Sequence, residues 1–381
     1  MIELVRRLGY APKQCVWELT LSCNMRCLHC GSFAGPPRRE ELSWPEMQAL
    51  AHELADLGCE KITLGGGEPT LHPHWSDLAA LLTGRGVQVI LITNGWTWSP
   101  ELQARAKAAG IRTVGFSLDG FEPDHDKIRK VGSFERVVSA IDACVAGGLS
   151  ASVVSHVNRL NAGYLREMRD FLRSHGVAAW QLQLGNPAGA MGEHRELVIE
   201  PAELLWLVPL IAELRTEGGR PEICPGDNIG YFGACEKALR DRGAMVDVWI
   251  GCRAGCHVLG IESNGNIKGC LSLPSSRHGD DAFLEGNVRD SSLTEIWNRP
   301  GAFAFNREFT EERLDGFCGV CRYRDICRGG CSWTAWSHTQ SRWHNPYCLY
   351  YQAVKNGRYD LLGEDRPNAL EVETARTFVD A

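Results

Sequence analysis

Cysteine spacing constrains this chain more than any other feature. Eleven of its 16 cysteines fall into tightly spaced groups. Cys23, Cys27 and Cys30 read C-x3-C-x2-C. Cys252 and Cys256 precede Cys270, then Cys318, Cys321, Cys327 and Cys331 read C-x2-C-x5-C-x3-C, and Cys348 closes the series. Disulfide frameworks belong to small exported domains. Here the N-terminal Met1-Ile-Glu-Leu-Val-Arg-Arg lacks the apolar stretch of a signal peptide. The protein is therefore placed in the cytoplasm, where thiols stay reduced, and clustered thiols there point to metal or catalysis. The formal net charge of −7 and the lack of a long basic run argue against nucleic acid or an anionic membrane surface as partners. No apolar run approaches the ~18 residues of a membrane span.

Residues 14–216 alternate between two periods. Val16–Leu21, Lys61–Leu64, Gln88–Thr93, Thr113–Leu118, Ser152–Val157 and Trp180–Leu184 are short apolar or β-branched runs that predict buried strands. Helical patterns lie between them. Ser43-Trp-Pro-Glu46 is a capping box for a helix over Met47–Leu57. Ser99-Pro100-Glu101 opens another, ended by Gly110, and Ser133 opens a third, ended by Gly147-Gly148. Pro201 starts a long apolar helix through Leu214. Six βα units predict an α/β fold, a partial (β/α)6 TIM-like barrel spanning residues 1–216. Residues 217–251 read as an irregular linker, 252–350 as a cysteine-rich domain stapled by metal, and 351–381 as a polar C-terminal tail.

The first cysteine group follows the first strand directly, at the end of a parallel strand where ligands bind. Three thiolates can hold three irons of a [4Fe–4S] cluster and leave the fourth open. The alternative is zinc, completed by a histidine such as His29. C-x3-C-x2-C after strand one of a βα barrel resembles the radical S-adenosylmethionine (SAM) family. The resemblance implies that the open iron chelates SAM, which is cleaved to a 5′-deoxyadenosyl radical that abstracts hydrogen from a substrate. Gly66-Gly67-Glu68 after strand two is similar to the family motif that receives the SAM ammonium. Physically, its glycines admit close backbone approach and Glu68 offers a counter-charge. By the same resemblance, Thr93-Asn94 after strand three and Ser117 and Asp119 after strand four lie near the ribose and carboxylate of SAM. His29 takes the place of an aromatic residue beside the adenine.

The later cysteines resemble the SPASM domain of many radical SAM enzymes, C-x(9–15)-G-x4-C, gap, C-x2-C-x5-C-x3-C, gap, C. Every spacing matches, with Gly265 and Cys270 supplying the second element. Cys256 adds an eighth thiol, and eight thiolates fill two more [4Fe–4S] clusters. The resemblance assigns Cys252, Cys256, Cys270 and Cys331 to one auxiliary cluster and Cys318, Cys321, Cys327 and Cys348 to the other. Two four-thiolate zinc sites are the alternative. Cys59 and Cys144 read as buried apolar residues, and Trp96 and Trp98 read either as substrate contacts or as rim packing.

The resemblance implies an enzyme with three [4Fe–4S] clusters and SAM. Its expected action is oxidative modification or crosslinking of a ribosomally made peptide, with a reductant such as flavodoxin or ferredoxin. About fifteen residues precede the first strand, so no fused leader-binding domain is expected. A separate leader-binding protein presents the peptide, or the barrel mouth binds it. Leu271 stands where sulfatase maturases carry an aspartate base, which argues against that activity. A small-molecule radical SAM enzyme, such as a tetrapyrrole decarboxylase or dehydrogenase, is the other enzymatic reading. An electron-transfer or metal-binding protein is the non-enzymatic one. No catalytic base is assigned.

Overall fold

Alternating burial shapes the first strands. β1 (Gln14–Thr20), β2 (Lys61–Gly66), β3 (Gln88–Thr93) and β4 (Thr113–Ser117) bury one set of apolar side chains, among them Trp17, Leu64, Leu91 and Phe116, while Val16, Ile90 and Ile92 are only partly buried. The computed structural model describes residues 9–240, 247–274 and 281–378. It divides the chain into two compact units: residues 1–118, 125–152 and 253–308, and residues 119–124, 153–252 and 309–381.

In the first unit β1 to β4 pair in parallel in chain order. β8 (Val258–Ile261) adds to the other edge of β1, also in parallel, with Trp17 opposite Ile261. β9 (Asn266–Lys268) and β10 (Leu284–Asn287) follow it antiparallel. The segment expected to be stapled by metal thus begins as an extension of the barrel sheet. Three- and four-residue strands are too short to raise a periodic signal, so only the pairing reveals them.

Helices follow the strands as their caps dictate. Glu46 takes a hydrogen bond from Ser43 N at 2.7 Å at the head of the helix Trp44–Asp56. Ser99 Oγ accepts from Leu102 N at the head of Pro100–Ala108. The helix Ser133–Ala146 departs from expectation. Gly132 is its N-cap, and the Asp126 carboxylate accepts from Gly132 N, Ser133 Oγ and Phe134 N. A carboxylate six to eight residues upstream does what the local hydroxyl was expected to do, with the added benefit of charge at the positive helix end.

Of β5 (Ser150–Val157), residues 153–157 belong to the second unit, where β6 (Ala179–Leu184) and β7 (Glu222–Pro225) follow in that order, with β6 and β7 parallel. β7 and a short helix, Glu236–Arg240, occupy what reads in sequence as irregular linker. The long apolar helix opens as a 3-10 turn at Pro201–Glu203 and runs as α-helix from Leu204 to Glu217. The segment after Cys348 is only partly a polar tail. Tyr350, Tyr351, Ala353, Val354, Leu362 and Ala375 are buried in one cluster with Tyr231, Phe232, Trp249 and Phe317. Their apolar faces alternate with charged residues too irregularly to show in sequence. No helix among the described residues is long and apolar enough to cross a membrane.

Candidate functional site

The three-cysteine loop is tied at its base before it reaches its thiols. Cys23 N donates to Gly35 O and Gly35 N to Leu21 O, both at 2.9 Å, so residues 22 and 35 form a bridge under the loop. Buried Glu18 on β1 takes two hydrogen bonds from Arg38, at 2.6 and 3.2 Å, and one from Ser263 Oγ. The far side of the loop is thereby held to the strand that launches it. Buried Met25 sits beneath.

Gly66-Gly67-Glu68 meets this loop directly. Gly67 N donates to Thr20 O and Glu68 N to Ser22 O, both at 2.8 Å. A Cβ on Gly66 would strike Thr20 O, and one on Gly67 would strike Ser22 O. The glycines are required because the backbone leading to Cys23 runs against them. Among the residues described here, it is protein that fills the space their missing side chains leave.

Glu68 is fully buried, at 0% exposure. Its Oε1 accepts from Thr70 N (3.2 Å), Thr70 Oγ1 (2.6 Å) and Thr93 Oγ1 (2.8 Å), and its Oε2 accepts from Asn94 N (2.8 Å). Burial raises its pKa, and the donors from Asn94, Thr70 and Thr93 pull it back. Asn94 carries the chain onward: its Nδ2 donates to Asn24 Oδ1 at 2.7 Å and reaches Cys23 Sγ at 4.0 Å. The ends of β1, β2 and β3 are thus joined through one carboxylate and one amide. Burial also raises the Cys23 pKa, and the charges of Glu68 and Cys30 push the same way, while a backbone hydrogen bond and Arg26 oppose them.

The remaining expected contacts distribute themselves between the units. His29 is half-buried on the cysteine loop, and Ser117 ends β4 in the first unit. Asp119 belongs to the second unit, where it accepts from His156 N at 2.8 Å and its carbonyl from Asn161 Nδ2. Trp96 lies under Lys130 and Arg136 as a cation–π acceptor, and Trp98 packs edge-on against Phe116. Both tryptophans therefore have packing partners. Cys15, Cys59 and Cys144 are buried.

In the second unit Cys318, Cys321, Cys327 and Cys348 gather on short helices around Phe317, Tyr323 and Tyr351. Burial pushes the Cys348 thiol up to about 12, with Cys318 as a like-charged neighbour. Cys321 and Cys327 are also raised by burial first, then by Cys348 and Cys318. Cys321, Cys327 and Cys348 would give up their protons readily only beside a cationic centre. An iron–sulfur cluster supplies one. Among the described residues no three His, Cys, Asp or Glu side chains converge tightly enough for a single metal ion. In the first unit Gly255 N donates to Gly269 O at 3.2 Å, which sets the segments bearing Cys256 and Cys270 side by side. Cys252 and Cys331 belong to the second unit.

Two groups escaped the sequence reading. Arg129 Nη1 lies 3.9 Å from Cys27 Sγ, across 102 residues of chain. At the end of β6, Asn186 gives its Nδ2 to Thr334 Oγ1 (3.2 Å), so its Oδ1 faces His338 Nε2 at 3.1 Å and takes that proton. His338 also packs against the Tyr347 ring, tilted by 30° with centroids 3.9 Å apart. Nothing in the local sequence marks either residue, since both partners come from distant elements.

Burial, then the charge of Arg195, lowers the His338 pKa to about 3. The unfolded imidazole takes a proton near pH 6.5 and the folded one does not. The His338 contribution is therefore flat above about pH 6.5 and increasingly destabilising as pH falls below it. The ring signals of His338 in NMR should stay still from about pH 8 to 5.5, while exposed histidines titrate. Movement of the His338 signals in that range would show the ring to be solvated.

Glu68→Gln should act on both fold and ligand. One amide hydrogen face would oppose Asn94 N or a threonine donor, costing about 1–3 kcal/mol for the unsatisfied buried group. The turn facing Cys23 would loosen, and SAM binding should weaken by about tenfold. Urea unfolding and SAM titration on the same preparation measure both, and unchanged values in each would remove Glu68 from the site.

A family model, the radical SAM superfamily, matches residues 17–172, and a second, the SPASM iron–sulfur cluster-binding domain, matches residues 252–322. Mycofactocin maturase MftC of Mycobacterium ulcerans is 32% identical over 329 residues, 84% of this chain and 83% of that one. An AdoMet-dependent heme synthase of Methanosarcina barkeri is 28% identical over 357 residues, 91% of this chain and 98% of that one. The fold is shared with Streptococcus suis SuiB solved with S-adenosylmethionine, at a TM-score of 0.71 and 16% identity over 90% of this chain and 78% of that one. With a partial α/β barrel, a cysteine loop at its first strand and a cysteine-rich C-terminal region, the chain belongs to the radical SAM superfamily as a SPASM-containing enzyme that uses SAM and [4Fe–4S] clusters.

Proposed function

We propose that the protein is a peptide maturase that oxidatively modifies or crosslinks residues of a ribosomally made precursor. The observation that carries this reading is the match along most of both chains to a protein named as a maturase. When bound, the cluster and SAM supply a 5′-deoxyadenosyl radical that removes a hydrogen atom from the substrate. The chain's own residues prepare the place. Cys23, Cys27 and Cys30 would hold three irons of the cluster, which would leave the fourth for SAM. Glu68 serves SAM by fixing Thr93 and Asn94, and its Oε2, with one hydrogen bond accepted, keeps capacity for the ammonium. Ser117 and Asp119 serve the ribose and carboxylate, and His29 the adenine. The eight later cysteines would hold the auxiliary clusters, which would supply an acceptor for the electron that leaves the peptide on oxidation. We take residues 1–216 as the barrel, 217–251 as its connection and 252–350 as the SPASM domain, with 351–381 following. A leader-binding protein, a flavodoxin or ferredoxin reductant and a cytoplasmic setting complete the reading.

The second reading is porphyrin chemistry, which the similarity to a heme synthase favours. Anaerobic incubation of the reconstituted full chain with SAM and dithionite separates the two. Peptides encoded by short reading frames beside the gene form one set of assays, and an iron porphyrin bearing propionates forms the other. A mass change in a peptide together with 5′-deoxyadenosine supports the maturase. A mass change in the porphyrin, with every peptide intact, transfers the function to the second reading.

A further inference from the structure

Each thiol of the N-terminal loop has a different N–H donor. Ala34 N lies 3.3 Å from Cys30 Sγ, Asn94 Nδ2 lies 4.0 Å from Cys23 Sγ, and Arg129 Nη1 lies 3.9 Å from Cys27 Sγ. The first is backbone and the second a neutral amide. Only the third carries a formal charge. Its placement is braced, because Leu28 N, between Cys27 and Cys30, donates to Ile128 O at 2.8 Å, and Arg129 N donates to His125 O at 2.9 Å. The residue before the guanidinium is therefore hydrogen-bonded to the cysteine loop itself. The loop's other cation, Arg26, spends Nη1 on the carbonyls of Cys23 and Met25.

We propose that Arg129 is a positioning residue that sets the reduction potential of the N-terminal cluster through Cys27. The inference rests on the reading that Cys23, Cys27 and Cys30 hold that cluster. Reduction adds one negative charge to the cluster and its thiolates. A cation and an N–H donor beside one thiolate stabilise the reduced form over the oxidised one, so they raise the potential. Charge rather than bulk is the operative property, since the neutral donors on the other two thiols already supply hydrogen bonding.

The test is an EPR-monitored redox titration of the reconstituted full chain. The same chain with Cys23, Cys27 and Cys30 replaced by Ala serves as the blank for the auxiliary clusters. In Arg129→Gln the ratio of reduced to oxidised N-terminal cluster at a fixed solution potential should fall about tenfold, a 59 mV drop for one electron. Arg129→Lys, which keeps the charge, should recover most of it at unchanged iron content. An unchanged potential in Arg129→Gln would overturn the proposal. So would an iron count in Arg129→Gln equal to that of the blank, which would make Arg129 a residue of cluster retention. A signal and iron count identical between wild type and blank would instead overturn the cluster assignment on which the proposal rests.

Discussion

Replacing Cys23, Cys27 and Cys30 together by alanine is expected to leave about eight of about twelve irons and to abolish SAM cleavage. The effect is total because these three thiols sit on one loop and nothing else in it can ligate three irons. The fold should survive. The loop is closed by the bridge between Ser22 and Gly35 and by Glu18 to Arg38 and Ser263, none of which needs a thiol. Iron analysis and 5′-deoxyadenosine assays read the outcome, with circular dichroism as the check on folding. Full iron content, or residual cleavage of SAM, would place the reactive cluster elsewhere.

The second large effect is expected from Cys321→Ala. Its thiol is buried among Phe317, Tyr350 and Tyr351 and feels Cys348 and Cys318. Removing it should cost about four irons and strand Cys318, Cys327 and Cys348, each partly buried, around an empty centre. A destabilisation of several kcal/mol is expected for a lost metal site with unpaired polar groups. The aromatic cluster that reaches from Tyr231 to Ala375 gives this unit a core of its own. The variant should therefore remain folded at low temperature and melt earlier. The N-terminal cluster should still cleave SAM slowly, without modified product. Limited proteolysis, iron count and deoxyadenosine release decide it. Wild-type iron content in the variant would exclude Cys321 as a ligand.

What the sequence determined by itself was whatever is written in short-range pattern. Short apolar and β-branched runs marked β1 to β6 to within two residues at each end, because such a run is a local property. The cysteine loop was legible for the same reason, its three thiols lying within eight residues, and the later series was legible through its resemblance to the SPASM pattern. Ser43 and Ser99 announced their helices because a cap acts within one turn. Only the tertiary structure decided what depends on chain segments meeting. Gly66 and Gly67 proved to be required by the backbone at Thr20 and Ser22, a contact between neighbouring strands. Glu68 became the acceptor for Thr70, Thr93 and Asn94 once β2 and β3 lay side by side. Asp126 capped a helix it does not adjoin. β8 joined the edge of β1 across more than two hundred residues and carried β9 and β10 beyond it, and Arg129 reached Cys27 across 102. Such contacts leave no trace in spacing, because burial and charge pairing select a partner by position in space, and the order of the strands in the sheet fixes that position.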